Sequence, residues 1–212
     1  MIASRRNAPL AWSAGWIAIA VIVFAITACT LQYTRTDLDP VTMPLSAYLR
    51  GPGGAWLRMA YYLMASALAC LAWASWRATS NELRSGLASS LFVVPALALP
   101  VVAVTVLYEH TPGENLARLI HGEAAQTTFL CLVVGMLLVS MRWLRDARMR
   151  HGGVAGAVLA WLAFVQMWVL ALWKGLPPGL TQKALIVLIL LWLAWAARQL
   201  WRRSTRPDHA AP

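Results

Sequence analysis

Six apolar stretches, residues 11–31, 56–76, 87–108, 125–143, 154–173 and 184–200, leave this chain few ways to fold. A hydrocarbon core about 30 Å thick is crossed by about 20 apolar residues in a helix, and each stretch is close to that length. The runs are apolar on all sides, not striped, as helices between lipid and a bundle interior require. The period-two alternation of a membrane β-barrel is missing. The pattern predicts an all-α protein, a polytopic transmembrane bundle of six helices forming a single domain over residues 1–212. Composition points the same way. The chain is 60% hydrophobic and 12% charged, with a mean hydropathy of +0.61, whereas a soluble domain carries about 25% charged residues. Three Cys in so apolar a chain also exclude a disulfide framework, and disorder and a coiled coil fail on the same numbers.

The connections between the runs carry unequal charge. Arg5, Arg6, Arg77, Arg84, Arg142, Arg145, Arg148, Arg150, Arg198, Arg202, Arg203 and Arg206 fall on one side, against Arg35, Arg50, Arg58, Arg118, Lys174 and Lys183 on the other. The positive-inside rule then predicts that both termini are cytoplasmic. The net charge of +10 is spread over short membrane-flanking segments, so it is a topology signal and does not point to nucleic acid. Five of the eight acidic residues, Asp37, Asp39, Glu109, Glu114 and Glu123, lie on the external side. So do the two longest connections, about 32–55 and 109–124, and a localised function is expected there. Trp12, Trp56, Trp76, Trp143, Trp173 and Trp201 stand near span ends and read as an interfacial belt. Arg5 and Arg6 before the first apolar run resemble a signal peptide, and Ile26-Thr27-Ala28-Cys29 fits the short pattern before a lipidated Cys. That pattern is only four permissive positions long, so a retained first span is the expectation.

Ionisable groups close to hydrocarbon are costly, which makes those near the span ends the best functional pointers. Asp39, before Pro40, can open a turn by accepting backbone N–H groups, or bind a ligand. Ser46 is a nucleophile only with a base beside it; otherwise it caps or turns the chain. Gly51, Gly53 and Gly54 match no phosphate loop and read as a hinge into the second span. Arg58, two residues beyond Trp56, either snorkels, pairs with Asp39 or Glu123, or grips a lipid phosphate. If the chain is helical from Glu114, then Glu114, Arg118, His121 and Thr128 share one face. His121 is the candidate proton shuttle or general base, set against the commoner role of a hydrogen-bonded structural histidine. Asp39, Arg58 and His121 are expected in one outer pocket, within direct or single-water contact. Lys183 answers an external carboxylate or snorkels, and Gln166 is interhelical glue. Cys29, Cys70 and Cys131 are scattered through three spans, and His110 and His121 have no metal-ligand spacing. No metal or cofactor is expected.

Asp39…Pro44-Leu-Ser46-Ala-Tyr48, the Gly-rich entry to span two, Ile120-His121-Gly122 and Gly179-Leu-Thr-Gln182-Lys183 occur in that order. In this set the chain resembles the bacterial membrane-protein family catalogued as domain of unknown function 998, from the first span to the sixth. The resemblance implies a six-span integral protein of the bacterial inner membrane and supplies no activity. It also implies an acidic or Arg-like head of span six, where this chain has Gln182 and Lys183. The leading functional expectation is non-enzymatic. An external polar pocket drawing on Asp39, Arg58, Arg118, His121 and Lys183 binds or moves a membrane lipid or small amphiphile. The alternative is a membrane-embedded hydrolase with His121 as general base and Ser46 or a water as nucleophile.

Overall fold

The computed structural model describes residues 7–173 and 175–205. Arg5, Arg6, Lys174 and Arg206, which enter the charge reading above, lie outside the described residues. Six helices follow one another: α1 (Ala8–Thr34), α2 (Gly54–Ala78), α3 (Gly86–Thr105), α4 (Glu114–Arg145), α5 (Gly153–Leu172) and α6 (Pro178–Thr205). Among the described residues there is no strand. All six are long and apolar enough to cross a membrane, and the chain is a multi-pass membrane protein.

Each helix packs on its neighbour in sequence, and α6 closes against α1. The result is a ring of six antiparallel helices in chain order, joined by short connections except for the 35–53 segment between α1 and α2. That segment sits at one end of the ring, called here the lid end. The opposite end holds the start of α1, the last turns of α2, α4 and α6, and the turns before α3 and α5; it is the arginine end. Arg77, Arg142, Arg145, Arg202 and Arg203 occupy last turns there, where a cation complements the negative pole of the helix.

One boundary departs from hydropathy alone. The fourth helix begins at Glu114, well before the apolar run at 125, and its 32 residues make a rod of about 48 Å. It therefore overshoots a hydrocarbon core of about 30 Å, and most of the expected 109–124 loop is helix. The third helix stays continuous through Pro95 and Pro100. The second helix is entered through Gly53 at φ 76°, a left-handed turn open to glycine at little cost, which is the hinge expected there.

The core also corrects the aromatic belt. Trp12, Trp56, Trp173 and Trp201 are exposed, but Trp143 is fully buried. Its indole Nε1 donates to Thr79 Oγ1 at 3.0 Å, and it packs on Trp195, which meets Trp192. Trp192 is buried too and donates to Ser140 Oγ at 2.9 Å. A span-end position suits an indole to the interface, yet a hydroxyl supplied by a neighbouring helix suits it equally to the core. Nearby, buried Asp146 accepts the Ser80 N–H at 2.7 Å and the Arg148 N–H at 2.9 Å. One carboxylate thereby ties the α2–α3 turn to the α4–α5 turn.

Candidate functional site

The 35–53 segment is a folded lid. Arg35, just past α1, forms a two-point ion pair with Asp37 at 2.7 Å for both contacts. Its Nη1 also donates to the carbonyls of Arg50, at 2.6 Å, and Pro52, at 3.3 Å. The guanidinium thus staples the lid's far end back onto α1. A short 3-10 helix, Leu45–Leu49, turns Leu45, Tyr48 and Leu49 into the top of the ring. Each such burial is worth about 2 kcal/mol. Tyr48 donates from its hydroxyl to the Leu38 carbonyl at 3.4 Å.

The lid docks on the start of α6. The Leu180 N–H donates to the Val41 carbonyl at 2.9 Å, and the Leu45 N–H donates to Gln182 Oε1 at 2.9 Å. Lys183 Nζ donates to the Met43 carbonyl at 3.0 Å and to the Pro40 carbonyl, with its ammonium 5.3 Å from the Tyr48 ring centre. Gly179 is in backbone contact with the lid: a Cβ there would lie 2.4 Å from the Met43 carbonyl oxygen. The Pro44–Tyr48 and Gly179–Lys183 motifs, far apart in sequence, are therefore two halves of one joint.

Several candidate residues serve this joint. Asp39 accepts the Thr42 hydroxyl at 2.6 Å and the Val41 N–H at 3.0 Å. Those bonds, with the Lys183 charge nearby, hold its carboxyl below the ordinary carboxylate range. This is the turn-opening role. Arg58 donates from Nη1 to the Leu49 carbonyl at the end of the 3-10 helix. It pairs with neither Asp39 nor Glu123 among the described residues.

His121 lies elsewhere, between α3 and α4. Its Nδ1 is 3.0 Å from Thr105 Oγ1. That hydroxyl also contacts the Val101 carbonyl at 2.9 Å and the Val102 carbonyl at 3.1 Å. A hydroxyl has one proton, and with two carbonyls competing for it, Nδ1–H is the donor to Oγ1. The His121 ring also lies within hydrogen-bond reach of the Val102 backbone. The small polar cavity beside it is lined by Arg50, Glu109, Glu114 and Arg118, arranged as two ion pairs, Arg50–Glu109 at 2.8 Å and Glu114–Arg118. The expected Glu114–Arg118–His121 face is thus present. Neither Asp39 nor Arg58 lines that cavity, and no hydrogen bond or ion pair joins Asp39, Arg58 and His121 among the described residues.

Beneath the lid is a second cavity of about 80 Å³, along the axis of the ring. All helices but α5 line it, with Phe24, Leu68, Leu99, Leu132, Ile189 and Leu193 among its apolar walls. Its polar lining is Ser46 from the lid, Tyr61, Thr128 and Gln182. Thr128 is spent on the Ala124 carbonyl, and Gln182 Oε1 on the lid. The Ser46 and Tyr61 hydroxyls have no hydrogen-bond partner among the described residues. Ser46 and His121 line different cavities, and no hydrogen bond joins them among the described residues. Among the described residues, no three His, Cys, Asp or Glu side chains converge as a metal site needs.

This cavity is the feature that sequence reading missed. Its apolar walls look like any span interior, and only Ser46, Tyr61, Thr128 and Gln182, scattered through the sequence, mark it. Gln166, by contrast, does the expected work, donating from Nε2 to the Thr181 carbonyl at 3.0 Å. Among curated proteins and solved structures no match to the chain is found. A family model does match, over residues 18–199. It spans all six helices, the lid and both halves of the joint, and on that basis the chain belongs to the family described as protein of unknown function (DUF998).

Proposed function

We propose that this protein binds a single-chain amphiphile or one chain of a membrane lipid in the axial cavity, beneath the lid. The observation that carries the reading is the cavity's chemistry. Its long apolar wall ends at the Ser46 and Tyr61 hydroxyls, which no protein group engages among the described residues. A ligand with an alkyl body and an uncharged hydrogen-bonding head fits both parts. Volume narrows the class further. A cavity of about 150 Å³ accommodates benzene, so about 80 Å³ takes a short segment of an alkyl chain and is too small for a ring of that size. Each methylene buried from water contributes about 0.8 kcal/mol. The arginine-rich end is taken to face the cytoplasm, in the inner membrane of a bacterium, which puts the lid and the polar head of the ligand outside.

The test is thermal unfolding in detergent with monoacylglycerols of increasing chain length. Stabilisation that rises with chain length and then stops, and that vanishes in Leu132→Trp, supports the reading. Equal stabilisation of wild type and Leu132→Trp at every length contradicts it. Tyr61→Phe separates the two ends of the ligand, because it should weaken monoacylglycerol binding while leaving a plain alkane's effect unchanged.

A further inference from the structure

At the arginine end a pocket of about 390 Å³ lies between the start of α1, the end of α2, the turn before α3 and the end of α6. Arg77, Arg84 and Arg203 line it, together with Asn7, Pro9, Leu10 and Trp73, and among the described residues no acidic side chain does. The guanidinium of Arg77 lies 5.9 Å from the Trp73 ring centre, and that of Arg84 lies 5.9 Å from the Trp76 ring centre. Each is thereby held in orientation by an indole face. Arg84 spends only Nε within the protein, on the Thr79 carbonyl at 3.1 Å. Neither Arg77 nor Arg84 has a carboxylate partner among the described residues. This differs from the lid end, where Arg35, Arg50 and Arg118 are all ion-paired.

Like charges gathered in one concave site repel one another unless an anion joins them, and guanidinium forks match a phosphate's oxygens. The location says which phosphate. Trp73 and Arg77 fall where the apolar run 56–76 ends, at the depth where a lipid headgroup meets its glycerol. The pocket's other wall is apolar, made by Pro9, Leu10 and the Trp73 ring. We propose that this pocket binds the phosphate of an anionic phospholipid headgroup. The site is separate from the axial cavity, and its ligand is recognised by charge and not by chain length.

The experiment is native mass spectrometry of the full chain in micelles doped with phosphatidylglycerol. Parallel arms carry phosphatidylcholine or free glycerol phosphate. Phosphatidylglycerol should be retained over phosphatidylcholine, and Arg77→Gln should lower its retention about fivefold, the ratio that corresponds to about 1 kcal/mol per basic residue at an anionic surface. Arg77 makes no hydrogen bond within the described residues, so this variant should melt with wild type. It therefore tests the site even where Arg84→Gln, which frees the Thr79 carbonyl, disturbs the fold. Arg145→Gln removes an exposed charge from the same end but outside the pocket, and should retain lipid as wild type does. Three results overturn the proposal: equal retention of the two lipids, equal loss in Arg145→Gln and Arg77→Gln, or free glycerol phosphate binding as tightly as the lipid.

Discussion

The two ends of the helix ring use arginine in opposite ways. At the lid end, Arg35 holds Asp37 and two backbone carbonyls, Arg50 holds Glu109, and Arg58 holds the Leu49 carbonyl. At the arginine end, Arg77 and Arg84 lean on indoles around a concave space with no acid in its lining among the described residues. A charge satisfied by its own backbone is part of the scaffold. A charge held in place with most of its donors unspent is available to a ligand. Sequence alone ranks the external charges as the functional ones, and the geometry gives Arg58 and Asp39 backbone and turn contacts within the lid.

The contrast breaks most readily at the joint between lid and α6. Gly179→Val places atoms inside the Met43 carbonyl, where backbone on both sides cannot yield, and should cost about 3 kcal/mol as an overpacking substitution. A lower melting temperature in detergent, with new proteolytic cuts between residues 35 and 53, is the expected result. Arg35→Gln comes next. It cannot span Asp37 and the Arg50 and Pro52 carbonyls together, and the loss should be about 1.5 kcal/mol, read by the same melt. In the buried aromatic cluster, Trp143→Phe keeps the ring but drops the bond to Thr79, for about 1 kcal/mol.

The smallest effect is on acid stability. Hydrogen bonds from Thr42 and Val41 hold the Asp39 carboxyl below its unfolded value, and the Arg35 guanidinium does the same for Asp37. A depressed folded pKa gives stability that is present in full above the unfolded value, near 3.8, and that is lost as pH falls through the folded one. Melting temperature should therefore hold from neutral pH to about pH 5 and drop below it. Asp39→Asn should melt lower at neutral pH and show a shallower acid limb.

The architecture was legible in the sequence because a bilayer sets one length and one composition for every span. Leu45 meeting Gln182, or Gly179 meeting Met43, has no periodicity to betray it, since two loops approach across the whole chain. The burial of Trp143 is not legible because span-end position alone cannot say whether a hydroxyl such as that of Thr79 waits on a neighbouring helix. The face of Glu114, Arg118 and His121 was readable because helical spacing fixes it. The split of Asp39 and Arg58 from His121 was not, because it depends on which helices adjoin. Ser46 stands out in the sequence as a hydroxyl in an external loop, while its place on the wall of an axial cavity follows only from how the 3-10 helix turns inward.

The most direct test is a high-resolution structure of the full chain reconstituted in a lipid nanodisc. The account predicts elongated density, one chain wide, running down the axis from Ser46 and Tyr61 past Leu68 and Leu132 toward Leu193. Helices closed on one another, with Leu132 filling that space and no chain between them, would contradict it.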